Sequence, residues 1–263
     1  MTLNTDILVH AEAGVSTITF NRADKKNSLT KAMYATLADA LTQAERDAAV
    51  RCVVFQGSMA VFCAGNDIGE FLAQSADGAS MQEPTQRPVW HFLRAIATFP
   101  KPVIAAVCGP AVGIGATLLL HCDLVYAGDN AAFSLPFVNL GLCPEAASSL
   151  LLPRLFGYQR AAQALLLGEP FLAEAALEAG LVNRIVPPAE CNALAQAQAR
   201  KLAAKPLTAL METKRLMKSA LHAQIAARMS EESASFLRLL AGPAAREAFT
   251  AFMHKRQPDF SGC

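Results

Sequence analysis

Two short glycine-bearing segments govern what this chain can become. One is Phe62-Cys63-Ala64-Gly65-Asn66-Asp67-Ile68, and the other is Gly109-Pro110-Ala111-Val112-Gly113-Ile114-Gly115. Each follows a short apolar run that reads as a buried strand, Cys52-Val53-Val54-Phe55 in the first case and Val103-Ile104-Ala105-Ala106-Val107 in the second. Each precedes a stretch able to open a helix. A strand, a small-residue turn and a helix start together aim bare backbone N–H groups at a ligand. Two such turns side by side would put a pair of donors around one oxygen, which is how an oxyanion or enolate is stabilised.

The surrounding pattern is that of a layered α/β core. Ile7-Leu8-Val9 and Val15–Phe20 flank the turn Glu12-Ala13-Gly14 and read as paired strands. Leu29 to Ala48 reads as an amphipathic helix, with Thr30 as N-cap and Met33, Leu37 and Leu41 spaced by four. A second helix is expected over Val89–Thr98. Short strands follow at Leu124–Ala127 and Ala132–Leu135, with helical stretches that include Ala161–Leu167 and Ala173–Ala179. Gly180 then stops a helix before the strand Leu181–Val186. Residues 73–88, rich in Ala, Ser, Gln, Gly and Pro, read as a mobile loop. From about Ala189 the pattern is wholly helical, over 190–204, 206–227 and 230–254, with Gly242-Pro243 as its strong break. This divides the chain into a core at 1–190 and a helical region at 191–263.

Composition removes several classes of function. The chain is 53% hydrophobic and only 17% charged, so it can bury a large core and leaves little charge to cover the surface, a hint of oligomeric contacts. A formal net charge of +1 without a basic or acidic block argues against nucleic acid as a partner. No uncharged apolar stretch is long enough to span a membrane. The seven cysteines form no C-x-x-C pair and no His-Cys cluster with metal spacing, so no metal is expected. Their odd number, with no secretory pattern at Met1–Asp6, suggests reduced thiols and a cytoplasmic protein. Gly113-Ile114-Gly115 lacks the third glycine of a dinucleotide fingerprint and the lysine of a P-loop.

Taken in order, the segments Phe20–Leu29, Phe62–Ile68, Lys101–Gly115, Ala179–Val182 and Ala251–Arg256 resemble the crotonase superfamily, the enoyl-CoA hydratase/isomerase group, over nearly the whole length. The resemblance implies a spiral of ββα units, a C-terminal helical region that builds a homotrimer or a dimer of trimers, and acyl-CoA thioesters as substrates. It needs no cofactor, coenzyme A being part of the substrate. It carries the two oxyanion donors onto the backbone N–H groups of Asn66 and Ile114. Ala64, Gly65, Asp67, Ile68 and Gly113 then shape the substrate site around them, and Asn27 lies in the loop facing the nucleotide.

The same resemblance bears on the reaction. Hydratases of the group use two glutamates, and the matching positions here are Thr117 and Phe137. Neither side chain can act as a general base, so hydration by the usual route is not expected. Glu145, in Leu142-Cys143-Pro144-Glu145, matches the acid of related Δ3,Δ2-enoyl-CoA isomerases. A lone carboxylate in an apolar setting, with Phe137 and Leu142 as lining, suits a 1,3-proton shift and would have a raised pKa. Read without the family, Glu145 is an acid at a helix start. Other reactions remain open: a ring or dienoyl isomerisation, hydration by another route, or acyl-CoA binding without turnover.

Other residues have two readings each. Lys25 and Lys26 would pair with CoA phosphates or simply solvate a loop. Lys255 and Arg256 would end a solvated helix or reach a neighbouring subunit's CoA. His91, His121 and His222 are expected as satisfied core or interface residues. Asp123 resembles a structural position. Cys63 and Cys143 flank the site without a histidine to activate them.

Overall fold

A computed structural model describes residues 5–70 and 87–263. Its frame is a six-stranded sheet in the order β1-β2-β3-β4-β6-β9. The strands are β1 (Ile7–Glu12), β2 (Val15–Phe20), β3 (Cys52–Gln56), β4 (Val103–Val107), β6 (Leu124–Gly128) and β9 (Arg184–Val186). The β1–β2 hairpin is antiparallel and every later pairing in this sheet is parallel. A smaller sheet holds β5 (Pro110–Val112), β7 (Ala132–Ser134) and β8 (Phe171–Leu172). The chain lays β4 in the large sheet and β5 in the small one, then repeats this with β6 and β7. Each turn thus adds one long and one short strand, and the turns stack as a spiral.

The inner strands β3 and β4 are apolar runs because both faces of the large sheet are covered there. Side chains alternate between faces. Val53, Phe55, Val103, Ala105 and Val107 join the core beneath the helices Lys31–Arg46 and Pro88–Thr98, which supply Met33, Leu37, Leu41, Phe92 and Ile96. Cys52, Val54, Ile104 and Ala106 face the helix Pro188–Ala203 through Cys191, Ala195 and Ala199. The boundary expected at 190 therefore falls within a helix that packs on the sheet. Thr30 caps Lys31–Arg46 as expected, its hydroxyl accepting from Met33 N–H at 3.2 Å.

One expectation needs correction. The helical tail breaks at Ala220-Leu221, between Leu207–Ser219 and His222–Leu240, and runs without interruption through the break expected at 228–229. Neither glycine nor proline marks that turn. There the backbone bends to bring Ile225, Met229 and Glu232 into the buried interior. His91 and His222 are exposed in the single chain, which leaves the interface reading of each open and removes the core one. The loop expected at 73–88 lies outside the described residues except for Arg87 and Pro88, and Pro88 already opens a helix.

His121 is buried as expected, and its Nε2 donates to Ala146 O at 2.8 Å. Burial lowers its pKa to about 4, so the ring is neutral. Asp123 is structural: its carboxylate takes Val103 N–H at 2.8 Å and pairs with buried Lys214 at 2.6 Å.

Candidate active site

The spiral brings the two glycine turns together by register. Cys63 forms a parallel bridge with Ala111, and Ala111 pairs with Phe133 in the next turn. These three residues are stacked neighbours. Three positions beyond Cys63 is Asn66, and three beyond Ala111 is Ile114, so the expected donors occupy equivalent places in adjacent turns. Three beyond Phe133 is Pro136, which has no N–H, so the third turn contributes no donor there.

Backbone hydrogen bonds lock the turns while sparing those two groups. Val112 N–H donates to Cys63 O at 2.8 Å, Leu29 N–H to Gly65 O at 2.8 Å, and Gly113 N–H to Ser134 O at 2.9 Å. Ala116 and Thr117 N–H both donate to Gly113 O. Among the described residues, no protein carbonyl accepts from Asn66 N–H or Ile114 N–H. Gly65 (φ +91°) and Gly113 (φ +55°, ψ −118°) adopt backbone conformations that a side chain would strain. They also let the turns touch, since a Cβ on Gly65 would lie 3.1 Å from Val112 O.

Side chains brace the first turn from behind. Asn27, buried at 1% exposure, donates to Val61 O and Phe62 O and accepts from Arg22 N–H. Its side chain is therefore committed inside the protein. Arg22 reaches across to Asp67 at 2.7 Å and to Ser28. Burial acts to raise the Asp67 pKa, but hydrogen bonds from Arg22, Glu70 N–H and Ser28 hold it below the usual value. The Tyr34 hydroxyl donates to Asn66 Oδ1. Lys25 and Lys26 are exposed, and Lys26 O accepts from Ala64 N–H at 3.0 Å, which keeps both lysines beside this turn.

Glu145 is the buried acid near this turn. It is 9% exposed, and its Oε1 is buried without a hydrogen-bond partner. Burial, and then the charge of Glu232, raise its pKa to about 8. The charge of Glu145 in turn adds to burial in raising the Tyr34 hydroxyl and the Cys63 thiol, the latter to about 12. The carboxyl therefore lies within electrostatic reach of the Cys63–Asn66 turn. A thiol with so high a pKa is no nucleophile.

Glu145 is not a helix-start acid, contrary to the reading of the sequence without the family. Ala146 (φ 61°) and Ala147 (φ 56°) are both left-handed and separate it from the helix Ser148–Phe156. Two such residues in succession are strained by on the order of 1–2 kcal/mol each.

The lining is apolar. Phe137, Leu142, Leu135 and Ala116 pack with Leu152 and Leu165, and Ile68 joins them. Phe236, Leu239, Leu240 and Phe249 from the C-terminal helices belong to the same cluster. The helical tail thus packs in one cluster with Ile68, Ala116, Phe137 and Leu142, which the sequence did not reveal. Thr117 is fully buried and its Oγ1 has no partner. Arg256 is engaged by Glu247 at 2.5 Å, and Lys255 is exposed.

A family model described as "Enoyl-CoA hydratase/isomerase" matches residues 10–263. The chain belongs to the enoyl-CoA hydratase/isomerase family. It is an acyl-CoA enzyme with a mixed α/β core and a C-terminal helical region. The structure of OdaA from Pseudomonas aeruginosa is 46% identical, with a TM-score of 0.91 over 95% of this chain and all of that one. The 1,2-epoxyphenylacetyl-CoA isomerase of Escherichia coli is 39% identical over 97% of this chain and 98% of its own length. Enoyl-CoA delta isomerase 2 of Rattus norvegicus is 41% identical over 69% of this chain, a match that spans 46% of the longer rat protein. The 2,3-dehydroadipyl-CoA hydratase of E. coli is 34% identical over 98% of this chain and 99% of its own.

Proposed function

We propose that the protein moves the double bond of 3-enoyl-CoA thioesters to the 2-position, with Glu145 as the acid/base residue. The observation that carries this reading is the buried Glu145 carboxyl, with one oxygen unpartnered, set against the turn that holds Asn66. Ionised Glu145 takes a proton from C2. The electron pair passes to the thioester oxygen, where the N–H groups of Asn66 and Ile114 stabilise the charge. The same carboxyl then returns the proton at C4. The double bond passes from C3–C4 to C2–C3, and nothing is gained or lost. No metal or redox cofactor enters the step, and Phe137 and Leu142 keep water away from the enolate.

The identity of the side chains favours this over hydration. Thr117 and Phe137 occupy the places of the two water-activating glutamates, and neither titrates. Lys25 and Lys26 would meet the CoA phosphates at the rim, while Ala64, Gly65, Asp67, Ile68 and Gly113 shape the turns around the acyl group. The match along its whole length to an epoxyphenylacetyl-CoA isomerase supports one second reading, isomerisation of a ring thioester by the same carboxyl.

Leu216, Met217, Phe252 and Met253 are exposed on the C-terminal helices, which suits assembly into homotrimers or pairs of trimers. Free thiols, mostly buried, suit the cytoplasm. Among the described residues, no helix is long and apolar enough to cross a membrane.

The test is to supply a 3-enoyl-CoA, a 2-enoyl-CoA and a ring-epoxide thioester separately and to identify each product. Conversion of the first to the conjugated 2-enoyl ester, without hydration of the second, supports the proposal. Hydration as the principal activity overturns it, and turnover of the epoxide alone favours the second reading.

A further inference from the structure

The helix Ser148–Phe156 begins at Ala147, a residue with no side chain able to cap it. Glu232, 85 residues away on the helix His222–Leu240, supplies the cap instead. One of its carboxylate oxygens accepts from Ala147 N–H at 2.6 Å. The other accepts from Ser149 N–H at 3.0 Å and from Ser149 Oγ at 2.6 Å. On the opposite side, Ala146 O is held by His121, and Glu145 O accepts from Ser148 N–H and Oγ. Ala147 N–H, Ser149 N–H, Ala146 O and Glu145 O, around the two left-handed alanines that aim Glu145, are thus each tied to a partner. Glu232 is buried at 6% exposure, an expensive place for a carboxylate used only as a cap.

We propose that Glu232 is the positioning residue of the active site, clamping Ala147 and Ser149 so that the Glu145 carboxyl points at the substrate. The proposal rests on the reading of Glu145 as the base. It also explains how two buried acids divide their tasks. The titratable groups within electrostatic reach of Glu145 are Glu232, Tyr34 from the first helix, Cys63 from the first glycine turn, and Cys143 from its own loop. Burial pushes both glutamates up, but Glu232 is pulled back by its bonds to Ser149 and Ala147 and by Arg228. Arg228 itself donates to Ser149 Oγ at 3.1 Å and pairs with exposed Glu231 at 3.0 Å. Glu232 therefore ionises first, and its charge delays ionisation of Glu145. Environments that separate the titration of two neighbouring carboxyls are a way of assigning acid and base roles.

The test compares Glu232→Gln, Ser149→Ala and Glu145→Gln with the wild type, measuring kcat, KM and the pH dependence of kcat/KM for a 3-enoyl-CoA. Glu232→Gln keeps the shape and removes the charge. Its acid limb should move to lower pH, and a displacement of about half a unit changes the rate well below the limb roughly threefold relative to the plateau. Its plateau kcat should fall while KM changes little. Ser149→Ala keeps the charge and removes the two hydroxyl bonds, to Glu232 and from Arg228, so kcat should fall with the limb close to the wild-type position. A merely structural Glu232 would alter stability and leave the plateau kcat of the folded variant in place. Wild-type plateau kcat in Glu232→Gln would overturn the proposal, as would wild-type kcat in Ser149→Ala should the first variant not fold. Full activity in Glu145→Gln would instead refute the reading on which the proposal rests.

Discussion

Gly115→Ala asks whether the two glycine turns must touch. Gly115 has no positive φ, so alanine is acceptable to the backbone and slightly favours the helix that starts at Ile114. Space is the obstacle. A Cβ at this position would lie 2.7 Å from Cys63 O and 2.9 Å from Cys63 Cβ, both fixed parts of the opposite turn. Ordinary contact begins near 3.4 Å. The turns must therefore separate by about 0.7 Å, and a donor at about 2.9 Å from the substrate oxygen would be left beyond hydrogen-bond range. Losing one such donor costs roughly 3–4 kcal/mol in the transition state, or about 10²–10³ in kcat. The assay is the appearance of conjugated 2-enoyl-CoA, with the melting temperature measured in parallel to show that the variant is folded. KM should change far less than kcat, because the nucleotide end binds elsewhere. A folded Gly115→Ala enzyme with kcat within about threefold of wild type would refute the idea that touching turns hold two donors at a working distance.

Further predictions concern charge. As the base, Glu145 must be ionised, so kcat/KM should rise tenfold per pH unit on an acid limb near pH 8 and level off above it. A limb near its ordinary value of 4.5 would show that burial does not tune this group. The raised pKa also destabilises the fold as pH rises, because the folded state must surrender a proton that it holds more tightly than the unfolded chain. Glu145→Gln should therefore be more stable than wild type above pH 8 and lose that advantage toward pH 4.5, by about 1.4 kcal/mol per unit at most. Thermal melts across this range check the sign. Arg22→Ala leaves Asp67 without its cation and loosens the first turn, so the melting temperature should drop by the equivalent of about 1–3 kcal/mol, with kcat reduced as well. Unchanged melting would mean that the ion pair is incidental.

How far the site was legible in the sequence follows from how local each part is. The strand-turn-helix units were legible because their apolar runs and glycines lie next to one another in the chain. That Asn66 and Ile114 would meet depends on the pairing of Cys63 with Ala111, and no local pattern states that register. Glu145 was legible only through a family position. Its neighbours Ala146 and Ala147 gave no warning of a left-handed pair, since alanine normally favours a helix. Glu232 lies mid-helix among residues such as Ser230 and Glu231, where an acid usually faces water. Tyr34 belongs to the buried stripe of its helix, and its hydroxyl role appears only once Asn66 is placed beside it. The packing of Phe236, Leu239, Leu240 and Phe249 against Phe137 and Leu142 was hidden for the same reason, because amphipathic helices do not announce what they cover.

The central claim is that Glu145 removes the C2 proton while the two backbone donors hold the enolate. Its most direct test is the rate at which wild-type enzyme and Glu145→Gln convert a 3-enoyl-CoA to the 2-enoyl ester, with binding of the thioester measured in both. The account predicts retained binding and a loss of turnover of at least about 10³-fold in the variant. Turnover in Glu145→Gln within about tenfold of wild type would show that another group takes the proton, and would contradict the account.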